Sequence, residues 1–274
     1  MTFLQALVIA ILQGATELFP VSSLGHAVIL PRLLGWDVDQ KGPAFLPFLV
    51  VLHLGTATAL LAYFWRDWFG FARAILGRGE AATVARERRI FALVCAATIP
   101  AAVLGFVLEH KLRGFFGAPM LAAVFLIVNG FILFIGERIK HAGSKSLDQI
   151  GWKAALAIGA CQALALIPGI SRSGATMVGG VLAGLTHKEA ARFSFLLATP
   201  VIFGAGVLEV PKMLQVQFAY DRAEVVLAGV AAGVTAFIST AILMHYFKKN
   251  EIEALNPFAY YCWAAGAAAL FLMK

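Results

Sequence analysis

The chain has 274 residues, of which 61% are hydrophobic and only 14% are charged, and its mean hydropathy is +0.84. Ordinary soluble domains carry about 25% charged residues, so this composition excludes a water-soluble globule, and it equally excludes an intrinsically disordered chain. The formal charge of +7 indicates basic loops on one side of a membrane and no role in binding nucleic acid.

The first apolar region, residues 1–32, is interrupted by Glu17 and Pro20. Proline lacks a backbone donor and disfavours helix in the residue before it, so this region divides into two short helices. Neither half covers a hydrocarbon core of about 30 Å comfortably. We predict a re-entrant pair, in which one helix enters the membrane and a second returns to the same side. The alternative is one long helix kinked at the proline.

Charge-free runs mark the membrane spans that follow, since a crossing helix needs about 20 apolar residues. One run is short, but its flanking Arg192 and Glu209 can extend toward the membrane surface. Six transmembrane helices are therefore predicted, at 42–65, 90–108, 114–136, 193–208, 225–247 and 254–273.

A second broken region, residues 154–185, is interrupted by Pro168, Gly169 and Arg172, and predicts a second re-entrant pair. A broken pair followed by three spans thus occurs twice. The breaks also match at an offset of 149, with Gln13 on Gln162, Ser22 on Ser171 and Gly25 on Gly174. Three spans per half require opposite orientations, so we predict one all-α integral membrane domain built as an inverted-topology repeat. The two repeats cover about 1–136 and 152–274.

The distribution of Lys and Arg orients this arrangement. Segments 66–89, 137–153, 186–192 and 247–253 fall on one side and hold 14 Lys and Arg, against 7 on the other side. Basic loops remain cytoplasmic, which predicts that both termini lie outside the cytoplasm. The first broken pair then enters from outside and the second from the cytoplasm, so their tips meet near the middle of the membrane.

The first break carries ionisable and hydroxyl groups in an apolar setting. Gln13 and Glu17 are four residues apart and share a helix face. Ser22, Ser23 and His26 follow the proline within about one helical turn. A serine that caps the second helix would account for one hydroxyl, but not for Glu17 or His26. Ionisable groups at membrane depth are costly and indicate a functional site.

The second break reads Pro168-Gly-Ile-Ser-Arg-Ser-Gly-Ala-Thr176 and opens a short helix. The first N–H groups of a helix are free and bind anions, and an arginine beside them matches phosphate oxygens. Alternatively, Arg172 pairs with Glu17 as a purely structural contact.

Together the two breaks offer phosphate donors, a carboxylate suited to a hard metal ion, and a Ser/His pair suited to nucleophilic catalysis. A site with these groups inside a membrane predicts an amphiphilic phosphate substrate. A lipid flippase or transporter with the same architecture is the main alternative, and a non-catalytic lipid-binding scaffold is the third.

Gln13-x-x-x-Glu17 with Pro20-Val-Ser-Ser-Leu-Gly-His26, and Pro168 to Thr176, resemble the two signatures of bacterial undecaprenyl pyrophosphate phosphatases of the bacitracin-resistance type. The resemblance implies hydrolysis of undecaprenyl pyrophosphate to undecaprenyl phosphate, which recycles the lipid carrier of peptidoglycan synthesis. It also implies a divalent cation (Mg²⁺ or Ca²⁺), the inner membrane, and a site opening toward the periplasm. The first signature allows Glu or Gln at its first position, and this chain has Gln13.

The resemblance also implies roles for single residues. Glu17 would bind the metal or act in acid/base chemistry, Ser23 and His26 would supply the nucleophile and its partner, and Arg172 would hold the pyrophosphate. The substrate-binding residues would be Gln13, Ser22, Ser171, Ser173 and Thr176. Attack by Ser23, attack by His26 and attack by metal-activated water all remain open, as does a homodimer.

Overall fold

A computed structural model describes residues 1–113, 117–139, 143–215 and 222–274. Within these ranges the regular secondary structure is helical throughout. The α-helices are α1 (Phe3–Leu18), α2 (Ser23–Leu33), α3 (Phe45–Tyr63), α4 (Trp65–Ile75), α5 (Ala81–Arg113), α6 (Pro119–Ile139), α7 (Trp152–Gln162), α8 (Arg172–Leu182), α9 (His187–Gln215), α10 (Arg222–Lys249) and α11 (Asn256–Leu272).

Five of these helices, α3, α5, α6, α9 and α10, are long and apolar enough to cross a membrane. The chain is therefore an all-α polytopic membrane protein. The sixth predicted span corresponds to α11, an apolar helix of 17 residues. The predicted span 193–208 was too short: α9 continues beyond Arg192 and Glu209, because charged side chains end an apolar run without ending the helix. Helix α4 lies where only a loop was expected.

The first break falls at the predicted proline. Helix α1 ends at Leu18 because Phe19 is extended before Pro20. Ser22 adopts φ 66° and caps α2, its Oγ accepting from Gly25 N at 3.2 Å, which confirms the predicted serine cap. The terminal amine of Met1 donates to the carbonyl of Asp37 at 3.4 Å, so the start of α1 lies beside the loop that follows α2.

The second break has the same plan. Helix α7 ends at Gln162 and continues as one 3₁₀ turn, and Ser171 then caps α8, its Oγ accepting from Gly174 N at 3.0 Å. Gly169 has φ 103°, and a Cβ at this position would lie 2.3 Å from the carbonyl oxygen of Ala122, so only glycine fits here. The loop before α7 meets the loop after α8, where Lys145 N donates to Gly184 O at 2.9 Å.

Polar and charged contacts join the four basic segments at one end of the molecule, which we call the charged end. Arg192 pairs with Asp67, and Arg86 lies 3.3 Å from Asp148. His187 Nε2 lies 2.9 Å from Glu137 Oε2. Further contacts join Leu147 N to Glu189 and His187 N to Glu251. Segments 66–89, 137–153, 186–192 and 247–253 therefore lie together, as the orientation derived from the Lys and Arg count requires.

The long helices enclose the two breaks. Helix α10 packs against α1 and α3, helix α5 packs against α7, and α6 packs against α11. Small residues allow these close approaches: a Cβ on Gly14 of α1 would lie 2.2 Å from the carbonyl of Ala232, and one on Gly159 of α7 would lie 2.0 Å from that of Ala97. Glycine at membrane helix interfaces commonly serves this purpose. The packing holds the short helices, and hence both breaks, within the helical bundle.

Candidate active site

The carboxylate of Glu17 is the centre of the site. It lies near the end of α1 and is 7% exposed. Arg172 Nη2 donates to its Oε1 at 3.0 Å. Ser23 Oγ donates to its Oε2 through a short hydrogen bond, and His53 Nε2 lies 3.2 Å from the same oxygen. Three side chains therefore contact one buried carboxylate: an arginine from the second break, a serine from the first break and a histidine from α3.

A second set of hydrogen bonds fixes the two breaks to each other. Asn129 of α6, which is fully buried, donates from Nδ2 to Pro20 O at 2.9 Å and accepts at Oδ1 from Ser171 N at 2.9 Å. The hydroxyl of Ser173 lies 3.1 Å from the carbonyl oxygen of Phe19. Because a buried amide with both ends satisfied has little freedom, these contacts hold the tips in a fixed relation.

Arg172 sits at the start of α8 and is held from two sides. Its Nη1 donates to Ser194 O of α9 at 3.1 Å, while Nη2 donates to Glu17. Its Nε is buried and has no hydrogen-bond partner among the described residues. The guanidinium thus keeps donors available for a ligand beside the carboxylate. The predicted Glu17–Arg172 pair is present.

A cavity of about 260 Å³ opens between the two breaks. Five of the predicted residues line it, namely Glu17, Ser22, Ser23, Ser171 and Arg172. The remaining wall is largely apolar and comes from the helices α3, α5 and α9 and from the turn after α7. Its members include Leu46, Leu49, Val50, Ala101, Leu166, Val201, Ile202 and Ala205. A cavity lined by both polar and apolar side chains suits a lipid that has a charged head group and an apolar tail.

The other predicted residues lie around the cavity instead of lining it. Gln13 accepts at Oε1 from Thr56 Oγ at 3.2 Å. Ser173 bonds the backbone of the first break, as described above. The hydroxyl of Thr176 lies 2.8 Å from Arg172 O and 2.7 Å from Ser194 Oγ. These side chains support the breaks and the arginine.

The structure does not bring His26 and Ser23 together as a nucleophile and its base. His26 Nδ1 lies 2.7 Å from Ser22 O, and since a carbonyl only accepts, this nitrogen carries a proton. Its Nε2 lies 2.7 Å from the hydroxyl of Tyr261 on α11. Helical spacing alone had suggested the pair, but both ring nitrogens have other partners, and Ser23 faces Glu17.

The sequence leaves open whether His53 lines a cavity or is a satisfied core histidine, and it does not single out Asn129. His53 is the one histidine of the predicted span 42–65, and Asn129 is the one amide of the predicted span 114–136, and these were the available signals. His53 Nδ1 donates to Leu49 O at 2.7 Å, so the Nε2 that faces Glu17 needs a second proton in order to donate. A proton shared between Nε2 and Oε2 therefore joins His53 to the carboxylate.

Comparison with known proteins finds a family and several relatives that match nearly the whole chain. The family described as Bacitracin resistance protein BacA matches residues 6–268. A protein of Granulibacter bethesdensis named undecaprenyl-diphosphatase is 53% identical over 284 residues, covering 98% of this chain and 96% of its own. Proteins of the same name from Acidiphilium cryptum and Gluconobacter oxydans are 51% and 47% identical, and each alignment covers 100% of this chain and at least 99% of the relative.

Proposed function

Since the chain belongs to the bacitracin resistance protein BacA family, we propose that the cavity between the two helix breaks is where it hydrolyses undecaprenyl diphosphate. The enzyme is an undecaprenyl-diphosphatase: it releases inorganic phosphate and leaves undecaprenyl phosphate, the lipid carrier that cell-wall synthesis reuses. Bacitracin resistance is associated with the family. The observation that carries the proposal is the Glu17 carboxylate, which contacts Ser23 and Arg172 beside an apolar wall.

Ser23 is the nucleophile that this geometry favours. Its hydroxyl already donates to Glu17 Oε2, so the proton has an acceptor when Oγ attacks phosphorus. Arg172 and His53 hold Glu17 in place, and the arginine balances its charge. Arg172 and Ser171, the cap of α8, both line the cavity, so the guanidinium and the N-terminus of α8 are the groups that would bind phosphate oxygens.

The reaction then runs in two displacements. Ser23 Oγ bonds to the terminal phosphorus, its proton passes to Glu17, and the bond to the bridging oxygen breaks. Undecaprenyl phosphate leaves and takes that proton. Water next attacks the phosphoserine, Glu17 accepts a proton from it, and Ser23 Oγ recovers this proton as inorganic phosphate departs. Each step uses groups that lie in contact around one carboxylate.

A divalent cation, Mg²⁺ or Ca²⁺, is part of the proposal as a companion of the substrate. In the described part of the chain no three His, Cys, Asp or Glu side chains cluster as metal ligands. The oxygens of Glu17 already contact the cationic Arg172, the hydroxyl of Ser23 and the imidazole of His53. This donor set does not fit a resident ion. Diphosphate oxygens are themselves good ligands for Mg²⁺, so the ion would enter with them.

Phosphate release from detergent-purified protein tests the function. Undecaprenyl diphosphate should yield inorganic phosphate, whereas a flippase would move intact lipid and release none. Excess chelator should slow the reaction without lowering the melting temperature, because the ion travels with the substrate. Full turnover in chelator would exclude the cation.

The membrane arrangement that we propose has two re-entrant pairs in an inverted repeat. The Met1–Asp37 and Lys145–Gly184 contacts support it, since each pair begins and ends on one side. The packing of α1 on α10 also corresponds to that of α7 on α5 in the other half. With the charged end in the cytoplasm, both termini are periplasmic. The cavity wall uses the halves of α3, α5 and α9 that lie away from the charged end, which supports our proposal of a site open to the periplasm of the inner membrane.

Cysteine labelling checks this arrangement. In a variant lacking the three native cysteines, single cysteines at Thr2 and Gln40 should react with a membrane-impermeant maleimide from the periplasm. A cysteine at Lys145 should react only after the cytoplasmic side is opened. The charged end and the Met1–Asp37 contact are the physical reasons. Labelling of Thr2 and Gln40 from opposite faces would refute the first re-entrant pair.

Arg172→Lys should lower kcat/KM by about ten- to hundred-fold while the protein still folds. Lysine keeps the charge, but it cannot bond Ser194 O and Glu17 at once and still donate to phosphate. Kinetics with undecaprenyl diphosphate measure the effect. Arg192→Lys is the matched control, because Arg192 is also a part-buried arginine with two partners, Asp67 and Glu189, but at the charged end. Equal losses in both variants would contradict the role of Arg172.

A further inference from the structure

Gln162, the last residue of α7, is a buried amide without a protein partner. Its side chain is 3% exposed, and in the described part of the chain neither Oε1 nor Nε2 has a hydrogen-bond partner. It lines the same cavity as Glu17, Ser23 and Arg172. Burying an unpaired amide is unfavourable, so a side chain kept in this state at the wall of a cavity points to a ligand that pairs with it.

The corresponding residue of the first repeat behaves differently. Gln13 lies at the matching position, 149 residues earlier, and its Oε1 accepts from Thr56. It does not line the cavity. The Oε1 of Gln13 is thus held by the protein, although its Nε2 is buried without a partner among the described residues, whereas neither end of the Gln162 amide has a described partner. The repeat alone does not account for this difference.

We propose that Gln162 is a substrate-binding residue whose Nε2 donates to a non-bridging oxygen of the lipid diphosphate. The inference rests on the proposed function, which puts a diphosphate in this cavity. Phosphate oxygens offer only acceptors, so they pair with the amide N–H groups and not with Oε1. Arg172 and Gln162 would then bind the diphosphate from α8 and from the end of α7.

Gln162→Met tests the proposal because methionine keeps the size and removes both polar ends. We expect KM for undecaprenyl diphosphate to rise about ten- to hundred-fold, the range for a hydrogen bond to a charged group. The melting temperature should stay the same or rise, since an unpaired buried amide is lost. Gln162→Glu should raise KM further, because a carboxylate repels the phosphate.

Thr199→Val is the matched control: its hydroxyl is also buried and has no partner in the described part of the chain, but it does not line the cavity. It should leave KM unchanged. A methylene-bridged diphosphonate analogue of the substrate should inhibit Gln162→Met more weakly than the native enzyme by a similar factor. The proposal would be overturned if Gln162→Met had the KM of the native enzyme and were inhibited equally well. A lower melting temperature together with an unchanged KM would also overturn it. Failure of the native enzyme to release phosphate would instead refute the proposed function.

Discussion

Ser23→Ala should remove almost all phosphatase activity, lowering kcat by about 10⁴-fold or more, the scale of losing a catalytic nucleophile. The serine hydroxyl is the group that donates directly to Glu17 at the cavity, and alanine leaves the carboxylate without a proton to accept. Folding should be preserved, because Ser22 and not Ser23 caps α2. Phosphate release and a thermal melt in detergent measure both effects.

Ser239→Ala serves as the control for Ser23→Ala, since Ser239 is a buried serine of α10 away from the cavity. Rapid quenching with labelled substrate identifies the attacking group. Acid-stable label on Ser23 agrees with serine attack. Acid-labile label on His26 would transfer that role to the histidine. Retention of most turnover in Ser23→Ala would exclude the serine nucleophile, whatever the label shows.

Glu17→Gln should lower kcat by about 10²- to 10⁴-fold, the contribution typical of a positioned proton acceptor. The amide has nearly the same shape but cannot take the serine proton. It also leaves Arg172 and His53 facing a neutral group, which weakens the position of the arginine. Breaking a buried pair costs about 3–5 kcal/mol when both partners are fully buried, so the melting temperature should also fall.

Glu189→Gln distinguishes the loss of kcat from the fall in melting temperature that we expect for Glu17→Gln. Glu189 also pairs with an arginine, Arg192, but lies at the charged end. This variant should show a modest fall in melting temperature and native kcat. Glu17→Asp keeps the charge and draws the carboxylate back by one methylene, so it should retain more activity than Glu17→Gln. Equal turnover in Glu17→Gln and the native enzyme would contradict the proton-acceptor role.

Several features of the fold could be predicted because they depend on local chemistry. Proline and glycine residues predicted the positions of both breaks, and a serine cap begins the helix after each break. The length of apolar runs identified most spans. Helix ends were less accurate, as α9 demonstrates, since charged residues near a membrane surface remain helical. Helix α4 was missed because its mixed polarity resembles that of a loop.

The site could be predicted in its members but not in its pairings. Helical spacing placed Ser23 and His26 one turn apart. The hydrogen-bond partner of each side chain, however, depends on elements that are distant in the sequence. His26 meets Tyr261, 235 residues away, and Asn129 joins Pro20 to Ser171. No local pattern specifies which of several nearby acceptors a side chain meets, because the packing of α3, α6 and α11 decides it. For the same reason the contact between His53 and Glu17 could be identified only in the folded chain.

The pairing of Glu17 with Arg172 also has a consequence for biosynthesis. The two residues are 155 positions apart, and chains fold from the N-terminus as they are made. During translation the first broken pair must enter the membrane with a carboxylate that lacks its arginine, a costly state in lipid. The nascent pair should therefore stay near the interface until α8 is inserted. Hydrolytic competence then arises only after α8 has been made, at Arg172–Leu182 of the 274 residues, so products truncated before α8 should not consume the carrier lipid.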